Sequence, residues 1–168
     1  INCQQLRWVS EIRYLGIYIM CSRTFKVSLD EARKKFLIAS NSIFSKVNKN
    51  QINVIISLVK TFCIPTLLYG VEACNINTTE RTRLDNCVKI IFNKLFLTYS
   101  KYIITYCQFY MQCMPLRYVI DMRTLCFMHN LETMRDSNFV VSFLFRTLSL
   151  HDEFQLCANK FLIKGTLK

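Results

Sequence analysis

The sequence predicts a mainly α-helical chain, with one N-terminal β-hairpin followed by a bundle of five or six helices. Three observations lead there. Breakers are scarce, with 3 Gly and 2 Pro in 168 residues, so long stretches can remain helical. Hydrophobic residues make up 52% of the chain, which suffices for one real core at this length. Apolar residues recur every three to four positions through most of the chain, and only residues 5–20 alternate with period two.

Each element has its own signal. Within 5–20, Tyr14, Gly16 and Tyr18 fall on one face of an extended strand, and Leu15, Ile17 and Ile19 on the other. Leu6-Arg7-Trp8-Val9 is the expected partner strand, with the turn near Ser10-Glu11. A two-stranded hairpin is marginal alone, so this one is expected to pack on the helices or on a sheet outside the chain. Ser28-Leu29-Asp30-Glu31 reads as a capping box opening a helix to about Val47. Leu29, Ala32, Phe36, Ala39 and Ile43 form its buried stripe.

Residues 51–62 are apolar nearly all round, which predicts a central helix. Pro65 ends or kinks it, and a second segment follows over 66–73. Asn77 with Glu80 caps the next helix, which turns Leu84, Val88, Ile91 and Leu95 inward. The aromatic stretch 99–113 reads as helix or strand. Pro115 suits the first turn of a helix carrying Leu116, Val119, Ile120, Phe127 and Leu131 and ending near Arg135. Ser137 or Asn138 caps a last helix through Leu148, and the pattern from His151 onward is weak. The organisation expected is a hairpin over 1–22, a helical domain over 23–150 and a tail over 151–168.

The formal net charge is +11 and it is uneven. Residues 1–101 carry 15 Lys/Arg against 6 Asp/Glu, and residues 102–168 carry 7 against 5. A strongly basic part beside a near-neutral one points to a face turned toward a polyanion. The 9 cysteines are odd in number, irregularly spaced and without a C-x-x-C pair. They read as buried thiols in a reducing, intracellular compartment, nuclear or cytoplasmic, and not as a disulfide framework. His129 and His151 stand at no zinc-ligand spacing from a cysteine pair. His129 reads as a packed histidine. No secretory signal is visible, and no membrane span is expected: Lys60 and Pro65 interrupt the most apolar segment.

Two short motifs stand about 50 residues apart. The first is Tyr14-Leu15-Gly16, within Arg13-Tyr14-Leu15-Gly16-Ile17-Tyr18-Ile19. The second is Ile64-Pro65-Thr66-Leu67-Leu68-Tyr69-Gly70-Val71-Glu72. Together they resemble the region downstream of the catalytic palm in reverse transcriptases of non-LTR (LINE-type) retrotransposons. There a Y-L-G hairpin precedes a helical thumb carrying P-x-L-L-Y-G-x-E. The resemblance covers most of the chain. It implies that residues 6–19 correspond to the last palm hairpin, whose tip grips the primer end. Residues 28–50 and 51–74 correspond to the first two thumb helices, and 78–96 and 114–135 to the next two. Cys74 departs from the aromatic residue common at that place, no Cys/His knuckle follows, and the fingers-palm core lies outside the chain. The start at Ile1 fits a piece of a larger reading frame.

What the resemblance implies is a thumb-like fragment of an RNA-directed DNA polymerase, not catalytic alone. Its partners would be an RNA–DNA hybrid or another nucleic-acid duplex and the missing fingers-palm domain. No cofactor is expected in the fragment, because Mg2+ would belong to the palm. The residues themselves agree. Two-metal chemistry needs converging carboxylates, yet no Asp-Asp pair occurs, and no nucleophile or phosphate loop has its motif. Expected nucleic-acid contacts are Tyr14, Leu15 and Gly16 at the hairpin, where glycine admits a close backbone approach. On the first helix and after it they are Arg33, Lys34, Lys35, Lys46 and Lys49. Lys34 and Lys35 read as unpaired, and Arg33 as a candidate partner for Asp30. The alternative reading is a helical protein–protein interaction module unrelated to polymerases.

Overall fold

The structure, a computed structural model, describes residues 8–74, 76–147 and 159. The chain opens with three antiparallel strands in the order β1 (Glu11–Tyr14), β2 (Ile17–Met20) and β3 (Lys26–Ser28). Tyr14 pairs with Ile17 and Arg13 with Tyr18, so Leu15 and Gly16 are a two-residue turn. Both have left-handed backbones, at φ 47° and 86°, as the twist of a tight hairpin requires. This corrects the expected strand pairing. Tyr14-Leu15-Gly16 is the end of one strand plus the hairpin tip, not the middle of a strand. Trp8 and Val9 are not in a strand, and Leu6 and Arg7 lie outside the described residues.

The third strand carries the sheet past the hairpin boundary expected at residue 22. Tyr18 pairs with Ser28 and Ile19 with Val27. Ser28 is thereby committed to the sheet, and the capping box does not form. Helix α1 (Asp30–Lys46) starts after Leu29 without a side-chain cap, although Asp30 and Glu31 stand in its first turn, where negative charge complements the helix dipole.

The remaining helices are α2 (Ile52–Leu58), α3 (Ile64–Leu67), α4 (Thr78–Phe96), α5 (Lys101–Tyr110), α6 (Leu116–Thr133) and α7 (Phe139–Thr147). A π turn, Val59–Cys63, joins α2 to α3, so the two form one rod and the described residues hold six helical rods. The Ile64 amide donates to the Val59 carbonyl, five residues back. This local widening lets Pro65 stand inside the rod, in its last turn, Ile64–Leu67. The Thr66 hydroxyl donates to the Phe62 carbonyl at 2.9 Å.

The Asn77 side chain accepts from the Glu80 amide at 2.8 Å, as its position predicts. Asn138, not Ser137, caps α7, accepting from Val140 at 2.9 Å and Val141 at 3.3 Å. Most of the ambiguous aromatic stretch is helical, as α5. Leu148 and, apart from residue 159, the tail over 151–168 lie outside the described residues.

The α2–α3 rod runs through the core, but it is not buried all round. Ile55, Ile56, Val59, Cys63 and Leu67 are buried, whereas Val54 and Phe62 face outward. The same core takes Leu29 and Phe36 from α1, Leu84, Val88, Ile91 and Phe92 from α4, and Leu116 and Ile120 from α6. Each such side chain stabilises the fold by about 1.5–3 kcal/mol relative to exposure. Ile52–Ala73 is long and apolar enough to cross a membrane by length and composition; here one side of it is the centre of the bundle.

Polar contacts fasten α6. Arg81 pairs with Asp121, and Arg123 donates to Glu72 Oε1 at 3.1 Å. Asp85, only 8% exposed, accepts from the Leu116 amide at 3.0 Å and holds Lys89 Nζ at 2.6 Å. That carboxylate caps α6 from a distance, meeting one of the amides that a helix start leaves open. His129 is exposed, which corrects its reading as a packed residue.

Candidate nucleic-acid interface

The two motifs meet in space. Gly16, at the hairpin tip, lies against Tyr69, and a Cβ there would stand 3.2 Å from Tyr69 Cε1. Gly70, with φ 71°, lies against Ile17, and a Cβ there would stand 2.5 Å from Ile17 Cδ1. Each glycine serves a left-handed backbone and a close approach at once. The approach on the Cβ side of Gly16 is made by this chain's own Tyr69.

Beside this contact is an open cleft of about 420 Å³. The hairpin lines it with Arg13, Gly16 and Tyr18, α1 with Lys35, the rod with Pro65, and the turn after the rod with Tyr69. It offers two cations and two aromatic rings between the sheet and the start of α1. Glu31 also lines it, but its carboxylate lies 3.7 Å from Lys34 Nζ.

The structure sorts the expected contact residues. Gly16 and Lys35 share the cleft. Tyr14 and Leu15 are exposed at the adjoining tip. Arg33 donates to Asp30 at 3.0 Å; the adjacent Cys87 sulfur and then Asp30 push its pKa up further. Lys34 is not free of a nearby acid, which corrects that expectation: Glu31 sits one turn back and pairs with it. Lys35, Lys46 and Lys49 are exposed, and none of them forms an ion pair with a described residue. Lys35 and Lys46 lie on one line of α1, eleven residues or about 16 Å apart at 1.5 Å per residue. That is roughly the axial run of five phosphates on one strand. Lys49 follows in the loop to α2.

Arg13, Tyr18 and Tyr69 complete the cleft, and sequence reasoning did not single them out as contacts. All three had a signal, since each lies inside a quoted motif segment. Asp85 also escaped notice, although an acid between the inward-facing Leu84 and Val88 is out of place in an apolar register.

Burial pushes the Cys63, Cys74 and Cys113 thiols up from the ordinary value, which keeps them protonated. Among the described residues, no group of three or more His, Cys, Asp and Glu is placed to hold a metal ion. No protein-family model, curated protein or solved structure matches the chain.

Proposed function

We propose that the chain is the thumb region of a non-LTR retrotransposon reverse transcriptase and holds the template–primer duplex, an RNA–DNA hybrid, without being catalytic alone. The observation that carries this reading is the contact between the Y-L-G tip and the P-x-L-L-Y-G segment. Two motifs distant in sequence build one wall of a basic cleft, with Gly16 on Tyr69 and Ile17 on Gly70.

In this reading Lys35 and Arg13 neutralise phosphates at the cleft, and Lys46 extends the track along α1. Contacts of this kind supply affinity without reading sequence. In the same reading Tyr14 and Leu15, exposed at the hairpin tip, would meet the primer end. In this reading the Mg2+ ions of the parent polymerase belong to the palm, because two-metal chemistry needs carboxylates that converge on both ions.

The test is a fluorescence-anisotropy titration of the full chain against a short RNA–DNA hybrid at low salt. Saturable binding supports the proposal. Absence of binding overturns it and favours the protein-interaction module.

A further inference from the structure

We propose that the exposed aromatic face of α5 is a stacking platform for single-stranded nucleic acid, built from different elements than the cleft and independent of its role. Tyr99, Tyr102, Tyr106, Phe109 and Tyr110 are between 62% and 88% exposed. Tyr102, Tyr106 and the pair Phe109 and Tyr110 recur at i, i+4 and i+7/8, so they lie on one side of the helix. Successive positions are about 6 Å apart along its axis. Ile104 and Gln108, on the other side, are buried.

Charge decides the kind of occupant. From Asn86 to Ile120 the sequence has four cations, Lys89, Lys94, Lys101 and Arg117, and no Asp or Glu. Lys89 is engaged by Asp85, and Lys94 donates to Asn41 at 2.7 Å. Lys101 stands in the first turn of α5, where no acid offsets the helix dipole. Lys60 Nζ reaches the Met111 carbonyl at the other end, at 3.3 Å. Arg117 lies over the Tyr118 ring, with Cζ 4.7 Å from its centroid. Exposed rings, of which Phe109 and Tyr110 meet edge to face, with a cation at each end of the helix and no acid within 86–120, complement a polyanion that carries its own π faces. An unpaired strand is such a ligand, because its bases are free to stack on aromatic side chains and its phosphates find the cations. A duplex hides its base faces and gains nothing from the rings.

The experiment uses the full chain and three fluorescein-labelled probes: oligo(dT), an abasic strand with the same number of phosphates, and blunt duplex DNA. Oligo(dT) is expected to bind most tightly and the abasic strand at least tenfold more weakly. Tyr102→Ala and Tyr106→Ala should each weaken oligo(dT) binding roughly tenfold, whereas Tyr102→Phe and Tyr106→Phe should retain it. Both positions are exposed, so the folded state survives replacement, as circular dichroism will check. Equal binding of the abasic strand, or undiminished binding by the alanine variants, overturns the proposal. So does concentration-dependent self-association that the same alanine variants abolish, because it would make the face a protein interface.

Discussion

Ile17 and Gly70 lie so close that a methyl group on Gly70 would stand 2.5 Å from Ile17 Cδ1, and the Gly70 backbone is left-handed at φ 71°. No L-residue side chain fits there without moving the hairpin tip. Gly70→Ala should therefore lower stability by about 2–4 kcal/mol, combining backbone strain with overpacking. Thermal unfolding should fall by roughly 5–15 °C. Adding Ile17→Ala should remove the steric part of that cost and leave the backbone part, so the double variant is less impaired than the two changes would give if additive. An unchanged melting temperature for Gly70→Ala would show that the tip is not seated on the rod.

The Asp85 carboxylate supports α6 through the Leu116 amide and Lys89. Asp85→Ala leaves that amide open in the core and should cost about 2–3 kcal/mol in chemical denaturation. Asp85→Asn keeps an acceptor for the amide and loses only the attraction to Lys89, so its cost should be about 1 kcal/mol. Equal losses for the two variants would contradict the cap.

Three thiols link stability to pH. Burial raises the Cys63, Cys74 and Cys113 pKa in the folded chain, while the unfolded chain titrates near the ordinary value of about 8.5. Above that value the folded state retains protons that the unfolded state has lost, so the stabilisation is complete below it and declines as pH rises. The urea midpoint should accordingly drop between about pH 7.5 and pH 9.5, and replacing Cys113 with Ala should lessen the drop. Thiol labelling provides a companion check. Exposed Cys21 and Cys126 should react with Ellman's reagent well before Cys63, Cys87 and Cys113; rapid labelling of all five would contradict the burial.

The helices were legible because their signals are local. Asn77 with Glu80, Pro115 and Asn138 act through bonds to residues within a few positions, and the α1 stripe follows from a single period. The hairpin misled for a physical reason. Its tip is Leu15-Gly16 and not the usual Asn-Gly, so the alternation runs on through the turn and imitates one long strand. Ser28 resembled a cap until Tyr18 claimed it for the sheet, a competition invisible to a reading of neighbours. The course of the chain through Pro65 rests on five-residue hydrogen bonding, for which side-chain pattern carries no mark. In the site, exposure along α1 was readable, but the Glu31–Lys34 pairing and the meeting of Gly16 with Tyr69 depend on rotamers and tertiary packing.

Salt dependence of RNA–DNA hybrid binding tests the central claim most directly. The logarithm of affinity should fall linearly with the logarithm of salt between about 50 and 200 mM. Lys35→Ala should make that slope shallower by about one phosphate's worth, with Arg13→Ala doing the same. A wild-type chain that fails to bind the hybrid at the lowest salt, or a slope that neither replacement alters, would contradict a basic cleft that grips a duplex.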